Sequence, residues 1–184
     1  MGEQIDIYNK IGNKIGTKDR LLAHLNADWH EVVQVWVFNK DKRILTQKRS
    51  KDKLTYPGQE DFCFGGHITS GSNNVETAVN EIEEEIGLNI KQEDLIYFGT
   101  NNFSLDIPHK DVLIKDREIQ HLYGLEYNGK ISDLEFKDKE VESVQYRSII
   151  ECTNILENLK ESNKLMYDSV IDLCNRMFEN ILNY

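Results

Sequence analysis

Three carboxylates between residues 81 and 85 are the side chains of this sequence whose types and spacing point most directly to chemistry. Glu81, Glu84 and Glu85 stand at positions i, i+3 and i+4, so a helix would carry them on one face. Like charges on one face repel each other unless a cation binds among them. Because carboxylate oxygens are ligands that Mg²⁺ prefers, the spacing predicts a divalent-metal site. The alternative interpretation is a solvated acidic helix face, which is the usual role of such a run.

The helix that would hold these carboxylates is bounded by residues typical of helix ends. Gly65 and Gly66 form a turn before it, and Gly87 suits the left-handed position that ends a helix. Asn74 is the expected N-cap, so we predict a helix over residues 75–86. An apolar stripe on the adjoining arc would pack this helix onto the rest of the domain: Val75, Ala78, Val79, Ile82 and Ile86.

Strands are predicted on both sides of the acidic helix. Residues 31–38 and 43–49 are rich in β-branched and aromatic side chains and predict a hairpin at the centre of a sheet. Residues 61–66 predict a short strand that leads into the glycine turn. The remaining predicted elements are a strand and turn at 5–15, a helix or loop at 20–25, strands at 95–105, 118–127 and 141–148, and helices at 149–159 and 162–182. This order predicts an α+β fold with a mixed sheet between helices.

The size and composition of the chain predict one globular domain over residues 1–184. No apolar run reaches the ~18 residues that a membrane span needs, and the first residues lack the apolar segment of a signal peptide. We therefore expect a cytoplasmic protein that does not bind a membrane. The cysteines number three and are irregularly spaced, which favours reduced thiols over a disulfide framework or a thiolate zinc site.

The charge of the chain bears on its partners. A formal net charge of −10 argues against nucleic-acid binding, which needs clustered Lys and Arg. An acidic protein that handles a small phosphorylated molecule needs a metal ion or a local basic patch to attract it. Arg49 and Lys53, with Lys51 between them, precede the glycine turn and offer such a patch for a diphosphate. A solvated hairpin end is the alternative for these residues, and the sequence leaves both open.

The segment from Gly66 to Leu88 resembles the Nudix box, whose pattern is G-x5-E-x7-R-E-U-x-E-E-x-G-U, with U an aliphatic residue. Ser72 stands where the pattern has its first Glu, and Asn80 stands where it has Arg. Replacing both removes a charge pair without leaving one partner stranded. The matching positions are Gly66, Glu81, Ile82, Glu84, Glu85, Gly87 and Leu88.

The resemblance implies a Nudix-type α/β/α sandwich with its core at about residues 30–160, extended by an N-terminal segment and a C-terminal helix. It implies a hydrolase of small phosphorylated substrates that uses Mg²⁺ or Mn²⁺ to cleave a phosphoanhydride in a nucleoside diphosphate derivative or a related diphosphate. The implied metal ligands are Glu81, Glu84, Glu85 and the carbonyl oxygen of Gly66. Glu85 and Glu118 are the two candidates for the catalytic base, and the sequence does not choose between them.

A second resemblance is to the Nudix branch that contains type 1 isopentenyl diphosphate isomerase and its hydrolase-like relatives. The isomerase binds a divalent metal through His and Glu residues, and His30, His67 and Glu118 match members of that cluster. His24 matches another with a shift of one residue, and Asp116 replaces a Glu. The resemblance therefore implies a ligand or substrate-binding role for His30 and His67, with a structural hydrogen-bonding role as the alternative.

Two further functions are open alternatives to the hydrolase. The isomerase needs a cysteine as acid and base directly before its Gly-His pair, where this chain has Gly65, and Cys63 lies two residues earlier. We therefore rank isomerase below hydrolase. A Nudix-fold sensor that binds a nucleotide without hydrolysing it is the third candidate. An apolar stripe on the last helix would serve either a homodimer or the protein's own sheet: Leu165, Met166, Val170, Leu173, Cys174, Met177, Phe178 and Ile181.

Overall fold

The computed structural model describes residues 2–52, 56–109, 112–136 and 140–184. Within these ranges the strands are β1 (Gln4–Tyr8), β2 (Lys14–Asp19), β3 (Trp29–Phe38), β4 (Ile44–Arg49), β5 (Glu60–Asp61), β6 (Leu95–His109), β7 (Val112–Glu126) and β8 (Val141–Arg147). The helices are α1 (Arg20–Asn26), α2 (Asn74–Ile86), α3 (Ile149–Ser162) and α4 (Lys164–Asn183), with short 3-10 turns at Gln92–Asp94 and Ile131–Asp133. None of the helices in the described ranges is both long and apolar enough to cross a bilayer.

The centre of the sheet is β3, which pairs with β7 in parallel from His30↔Glu118 to Phe38↔Glu126. β6 pairs with β7 in the antiparallel direction, and β4 pairs with β8 in the same way. The predicted hairpin is confirmed as an antiparallel pair of β3 and β4 joined by a tight turn at residues 39–43, but the pairing of the two strands is limited to Phe38↔Ile44. The other edge of β3 is instead taken by residues 64–67, through bridges at Val35↔Phe64 and Val32↔His67.

Two apolar layers pack on opposite faces of this sheet and confirm the predicted α/β/α sandwich. Successive side chains of a strand point to opposite faces, so Val33, Val35 and Val37 face α2 while Trp36 and Phe38 face α3 and α4. The α4 stripe is buried in the second layer through Leu173, Cys174, Met177, Phe178 and Ile181. The stripe therefore covers the protein's own sheet, and a homodimer stays a prediction.

Several boundaries differ from the prediction. The N-cap of α2 is Asn73 and not Asn74, because the Asn73 side chain accepts a hydrogen bond from the backbone N–H of Glu76 at 2.9 Å. Gly87 ends the helix in the left-handed conformation, as predicted, with φ 72°. The N-terminal strand and turn is a two-stranded hairpin, β1 with β2. β7 begins at Val112 and not at residue 118, because its pairing with β6 continues to His109↔Val112 through a polar stretch that weakened the strand pattern.

Candidate metal and substrate site

The glycine turn lies against β3 in a conformation that leaves no room for a side chain at its first residue. Gly65 has φ +149°, and a Cβ built there would lie 2.1 Å from the carbonyl oxygen of Val33. Its backbone N–H donates to Oε2 of Glu85 at 3.0 Å, and the Gly66 carbonyl accepts from the N–H of Val33 at 2.9 Å. Glycine at this position thus lets the turn pack on the sheet and on α2 at once.

The three box carboxylates share one face of α2, as predicted, but differ in their surroundings. Glu84 is exposed, Glu81 is half-buried, and Glu85 is only 1% exposed because it is turned toward the glycine turn. The Glu81 carboxylate lies so close to Gly66 that a Cβ there would be 2.2 Å from Oε1. This absence of a side chain at Gly66 leaves space for a carboxylate beside its carbonyl, and that set of hard oxygen donors fits Mg²⁺ or Mn²⁺.

A second set of candidate ligands is formed by three histidines from α1, β3 and the glycine turn. Nε2 of His24 lies 3.1 Å from Nε2 of His67, and the rings of His30 and His67 stack with centroids 5.1 Å apart. One potential ligand atom from each of the three histidines lies within 4.8 Å of the other two. Among the described residues, the box carboxylates do not form such a group. The one-residue shift of His24 therefore does not keep it out of the cluster.

On the far side of the rings, His30 makes a hydrogen bond to the backbone and His24 lies against a carboxylate. Nδ1 of His24 lies 2.8 Å from Oδ1 of Asp116, and Nδ1 of His30 lies 2.9 Å from the backbone oxygen of Asp28. Nε2 of His30 is buried, and none of the described residues gives it a partner. Burial lowers the pKa of His30 to about 4, since it disfavours the charged ring. A neutral imidazole with one oriented and one open nitrogen is the state that binds a metal ion.

Two acidic residues of β7 lie beside this cluster. Asp116 is 4% exposed, and Glu118 stands beside His30 in the parallel register. Removal from water, and next the charge of Asp116, raise the pKa of Glu118 to about 8, while its Oε2 accepts from Gln120 Nε2 at 2.8 Å. A bound cation would reverse that effect by favouring the carboxylate. Imidazole with carboxylate is a donor set suited to a first-row divalent ion.

One cavity of about 460 Å³ joins the box helix to the histidine cluster. Arginines reach it from two directions: Arg49 from β4, with its Nη1 3.3 Å from Oδ2 of Asp61, and Arg20 from the start of α1. The sequence gives no signal for Arg20, because only the tertiary structure brings α1 beside the box. The predicted site residues that line this cavity are Arg49, Gly66, His67, Glu81, Glu84 and Glu118.

Two of the other predicted site residues, both within the described ranges, do not line the cavity. His30 lies behind His67, and Glu85 lies behind the glycine turn that it hydrogen-bonds. Lys53 falls outside the described residues. Ser72 and Asn80, the two departures from the box pattern, are both exposed. Neither substitution therefore leaves a buried charge without its partner.

The sandwich, with its glycine-led acidic helix beside a polar cavity, has the architecture of a NUDIX domain. Residues 28–169 match the NUDIX domain family model, and the chain belongs to the Nudix hydrolase family. The family that its box resembles is thereby confirmed.

Three similar proteins place the chain within this family. An uncharacterised Nudix hydrolase of Clostridium acetobutylicum is 30% identical over 159 residues, which is 85% of this chain and 75% of that protein. Nudix hydrolase 3 of Arabidopsis thaliana is 38% identical over 93 residues, and the match covers 50% of this chain but only 12% of the plant protein. An isopentenyl-diphosphate Delta-isomerase of Pectobacterium atrosepticum is 26% identical over 139 residues, with 75% and 72% covered.

The fold is also that of solved structures. A crystal structure of a Deinococcus radiodurans protein superposes with a TM-score of 0.61 and 19% identity, and the match covers 86% of this chain and 90% of that one. At this identity the likeness establishes the fold alone.

Proposed function

We propose that this protein is a metal-dependent Nudix hydrolase that cleaves a phosphoanhydride bond in a nucleoside diphosphate derivative or a related diphosphate. The observation that carries the proposal is the single cavity lined by Glu81 and Glu84 of the box helix, by Glu118 and by two arginines. A chain of net charge −10 repels phosphates at long range, so cationic groups inside the cavity are needed to hold one.

The residues of the chain would divide the work among themselves. Glu81, Glu84, Glu85 and the Gly66 carbonyl would hold Mg²⁺ or Mn²⁺, which when bound neutralises phosphate charge and activates water. The Arg49 guanidinium would hold phosphate oxygens through its planar fork. Lys53 stays a prediction for the same role. Glu85 would also keep the turn in place, since its Oε2 accepts the Gly65 N–H.

Two residues remain candidates for the general base. Glu118 lines the cavity and is oriented by the hydrogen bond from Gln120, so it can accept a proton from water beside a bound phosphate. Glu85 is buried at the turn, accepts the Gly65 N–H and does not line the cavity, so it is the more remote of the two candidates. Glu118→Gln and Glu85→Gln separate them, because loss of the base lowers kcat whereas loss of a ligand raises the metal concentration needed for half-maximal rate.

The test of the proposal is release of a nucleoside monophosphate, resolved by chromatography, from a panel of nucleotide sugars, dinucleotides, and nucleoside di- and triphosphates with Mg²⁺ or Mn²⁺. Glu84→Gln should lower the rate by a factor of about 100 or more, as expected for loss of a charged group at the reacting centre. Glu83→Gln is the matched control, because Glu83 is exposed on α2 and does not line the cavity. Tight binding without turnover would favour the sensor. The absence of both binding and turnover would reject the proposal.

Isomerisation of isopentenyl diphosphate is a second candidate, and the histidine cluster is the observation that favours it. Gly65 opposes it, because the position where the isomerase carries its cysteine has no space for a Cβ. Cys63 lines the same cavity, but it lies two residues away along the segment. We expect no allylic product when the protein is incubated with isopentenyl diphosphate and a divalent metal. Appearance of that product would make the isomerase the better assignment.

A further inference from the structure

A second cavity of about 540 Å³ adjoins the first one, between β3 and the helices α3 and α4. The two cavities share lining residues from β3, the chain before the glycine turn and α4, among them Gln34, Cys63 and Leu173. Beyond this shared wall the second cavity is lined by apolar side chains of α3, including Leu156 and Leu159, and by the polar residues Asn158 and Ser162. Its volume falls in the range of ~300–1,000 Å³ that small-molecule sites occupy. We call it the α3–α4 cavity.

Two polar atoms in this apolar wall have no partner among the described residues. Trp36 is 2% exposed and lines the α3–α4 cavity, and its indole Nε1 is buried without a hydrogen-bond acceptor. Oε1 of Gln34 is buried without a donor, two residues earlier on the same face of β3. The indole is held by Phe62 and Phe178, whose ring centroids lie 6.0 and 6.1 Å from its own. The residues that line the cavity therefore include one donor and one acceptor without a partner among the described residues.

These two atoms discriminate between classes of ligand. A hydrocarbon group in the cavity would leave both atoms unpaired, and each unpaired buried group is penalised relative to a hydrogen-bonded one. A group with its own acceptor and N–H donor would pair with Trp36 and Gln34 and bury its apolar faces against α3 and α4. A site that hydrogen-bonds its ligand strongly rejects an analogue that lacks the hydrogen-bonding atoms. An apolar pocket discriminates much less between ligands that differ by one methylene group.

We propose that the α3–α4 cavity binds the organic group of the substrate, and that Trp36 and Gln34 select a nitrogen heterocycle of the nucleobase type over a hydrocarbon chain. The inference rests on the proposed function, which puts the diphosphate in the adjoining cavity beside the box helix. In this arrangement the shared wall at Gln34, Cys63 and Leu173 marks the junction between the phosphates and the organic group.

The experiment is titration calorimetry in Mg²⁺ with three kinds of probe that resist hydrolysis. Methylenediphosphonate carries the phosphate-like part alone, its pentyl ester adds a hydrocarbon, and the α,β-methylene analogues of ADP, GDP, CDP and UDP add nucleosides. The wild type should bind at least one nucleoside probe about tenfold more tightly than the pentyl ester. Trp36→Phe keeps the aromatic ring and removes the N–H, and it should reduce this preference about fivefold, the effect of one lost hydrogen bond.

A second variant keeps the inference testable if Trp36→Phe does not fold. Leu159→Trp fills the α3–α4 cavity from a half-buried position that does not line the first cavity, so it should weaken nucleoside binding at least tenfold. Leu165→Trp is the matched control, because Leu165 is 63% exposed and lines neither cavity. Affinity for methylenediphosphonate should stay the same in all three variants.

The outcomes separate this inference from the proposed function. Equal affinity for the pentyl ester and the nucleoside probes, or unchanged nucleoside binding in Leu159→Trp, would overturn the inference and leave the diphosphate site standing. Nucleoside binding that is weakened by Leu159→Trp, without any metal-dependent binding of methylenediphosphonate, would support the inference and overturn the phosphate site. Absence of binding by every probe would overturn both.

Discussion

Substitution of Gly65 offers the sharpest test of the site geometry, because the structure permits its effect to be worked out in parts. In Gly65→Ala the new methyl group would lie 2.1 Å from the Val33 carbonyl oxygen, well inside any real contact distance. The residue would also hold φ at +149°, a conformation that costs about 1–3 kcal/mol for a residue other than glycine. Both effects act in the folded state, so the free energy of unfolding must fall.

Relief of the contact requires the glycine turn to move away from β3. That movement breaks the bonds from the N–H of Val33 to the Gly66 oxygen at 2.9 Å and from the N–H of Val35 to the Phe64 oxygen at 2.7 Å. Each such bond contributes about 1 kcal/mol. Together with the backbone strain, the expected loss is roughly 3–5 kcal/mol. For a domain of this size it corresponds to a fall in Tm of roughly 6–20 °C.

Gly71→Ala supplies the matched control. Gly71 has φ +92°, but a Cβ there would meet no atom within 4 Å, so the substitution carries backbone strain without a steric contact. We expect a loss of about 1 kcal/mol and a fall in Tm of roughly 2–4 °C. Urea and thermal unfolding of the two variants give the comparison. Equal losses in both variants would refute the close packing of the turn on β3, and with it the steric reason for the missing cysteine.

Three other substitutions test the packing around the site. Glu31→Gln should destabilise the protein at pH 7 by about 1.5 kcal/mol. The Glu31 carboxylate is hydrogen-bonded in the folded state, first to His121 with 3.0 Å between Oε1 and Nε2, and these bonds lower its pKa. That contribution is fully present above the unfolded pKa of about 4.3 and is lost as pH falls through the lower folded pKa. In urea unfolding, the difference in stability between the variant and the wild type should therefore close at acid pH. A difference that does not depend on pH contradicts this reasoning. Ser148→Ala removes a capping box with Glu151 at the start of α3 and should lower the free energy of unfolding by about 1 kcal/mol; an unchanged urea midpoint would argue against the cap. Met177→Ala in α4 should lower it by about 2–5 kcal/mol, since Met177 is fully buried, and a loss under about 1 kcal/mol would mean that α4 does not pack as described.

The histidine cluster shows how far a sequence resemblance reaches. His24, His30 and His67 come from α1, β3 and the glycine turn, so their sequence spacing alone carries no information about distance. The resemblance nevertheless picked out all three, because relatives preserve the fold that brings them together. It did not show that His24, which is one residue out of step with the pattern, lies 3.1 Å from His67.

The sequence by itself determined the features that arise from neighbours along the chain. The acidic helix, its end at Gly87 and its apolar stripe follow from a period of 3.6 residues and from the conformational freedom of glycine. The two-faced character of β3 follows from the alternation of its side chains. These signals are local, so a single sequence is enough to find them.

Only the tertiary structure decided which of these residues meet. The pairing of β3 with β7 and the glycine turn in preference to β4, the inward turn of Glu85, and the entry of Arg20 into the cavity all depend on contacts between residues far apart in the chain. Helical spacing places carboxylates on a common face, but the angle at which the helix packs on the sheet determines which one reaches the cavity and which one is buried. That angle is set by the apolar layer as a whole, and no local pattern records it.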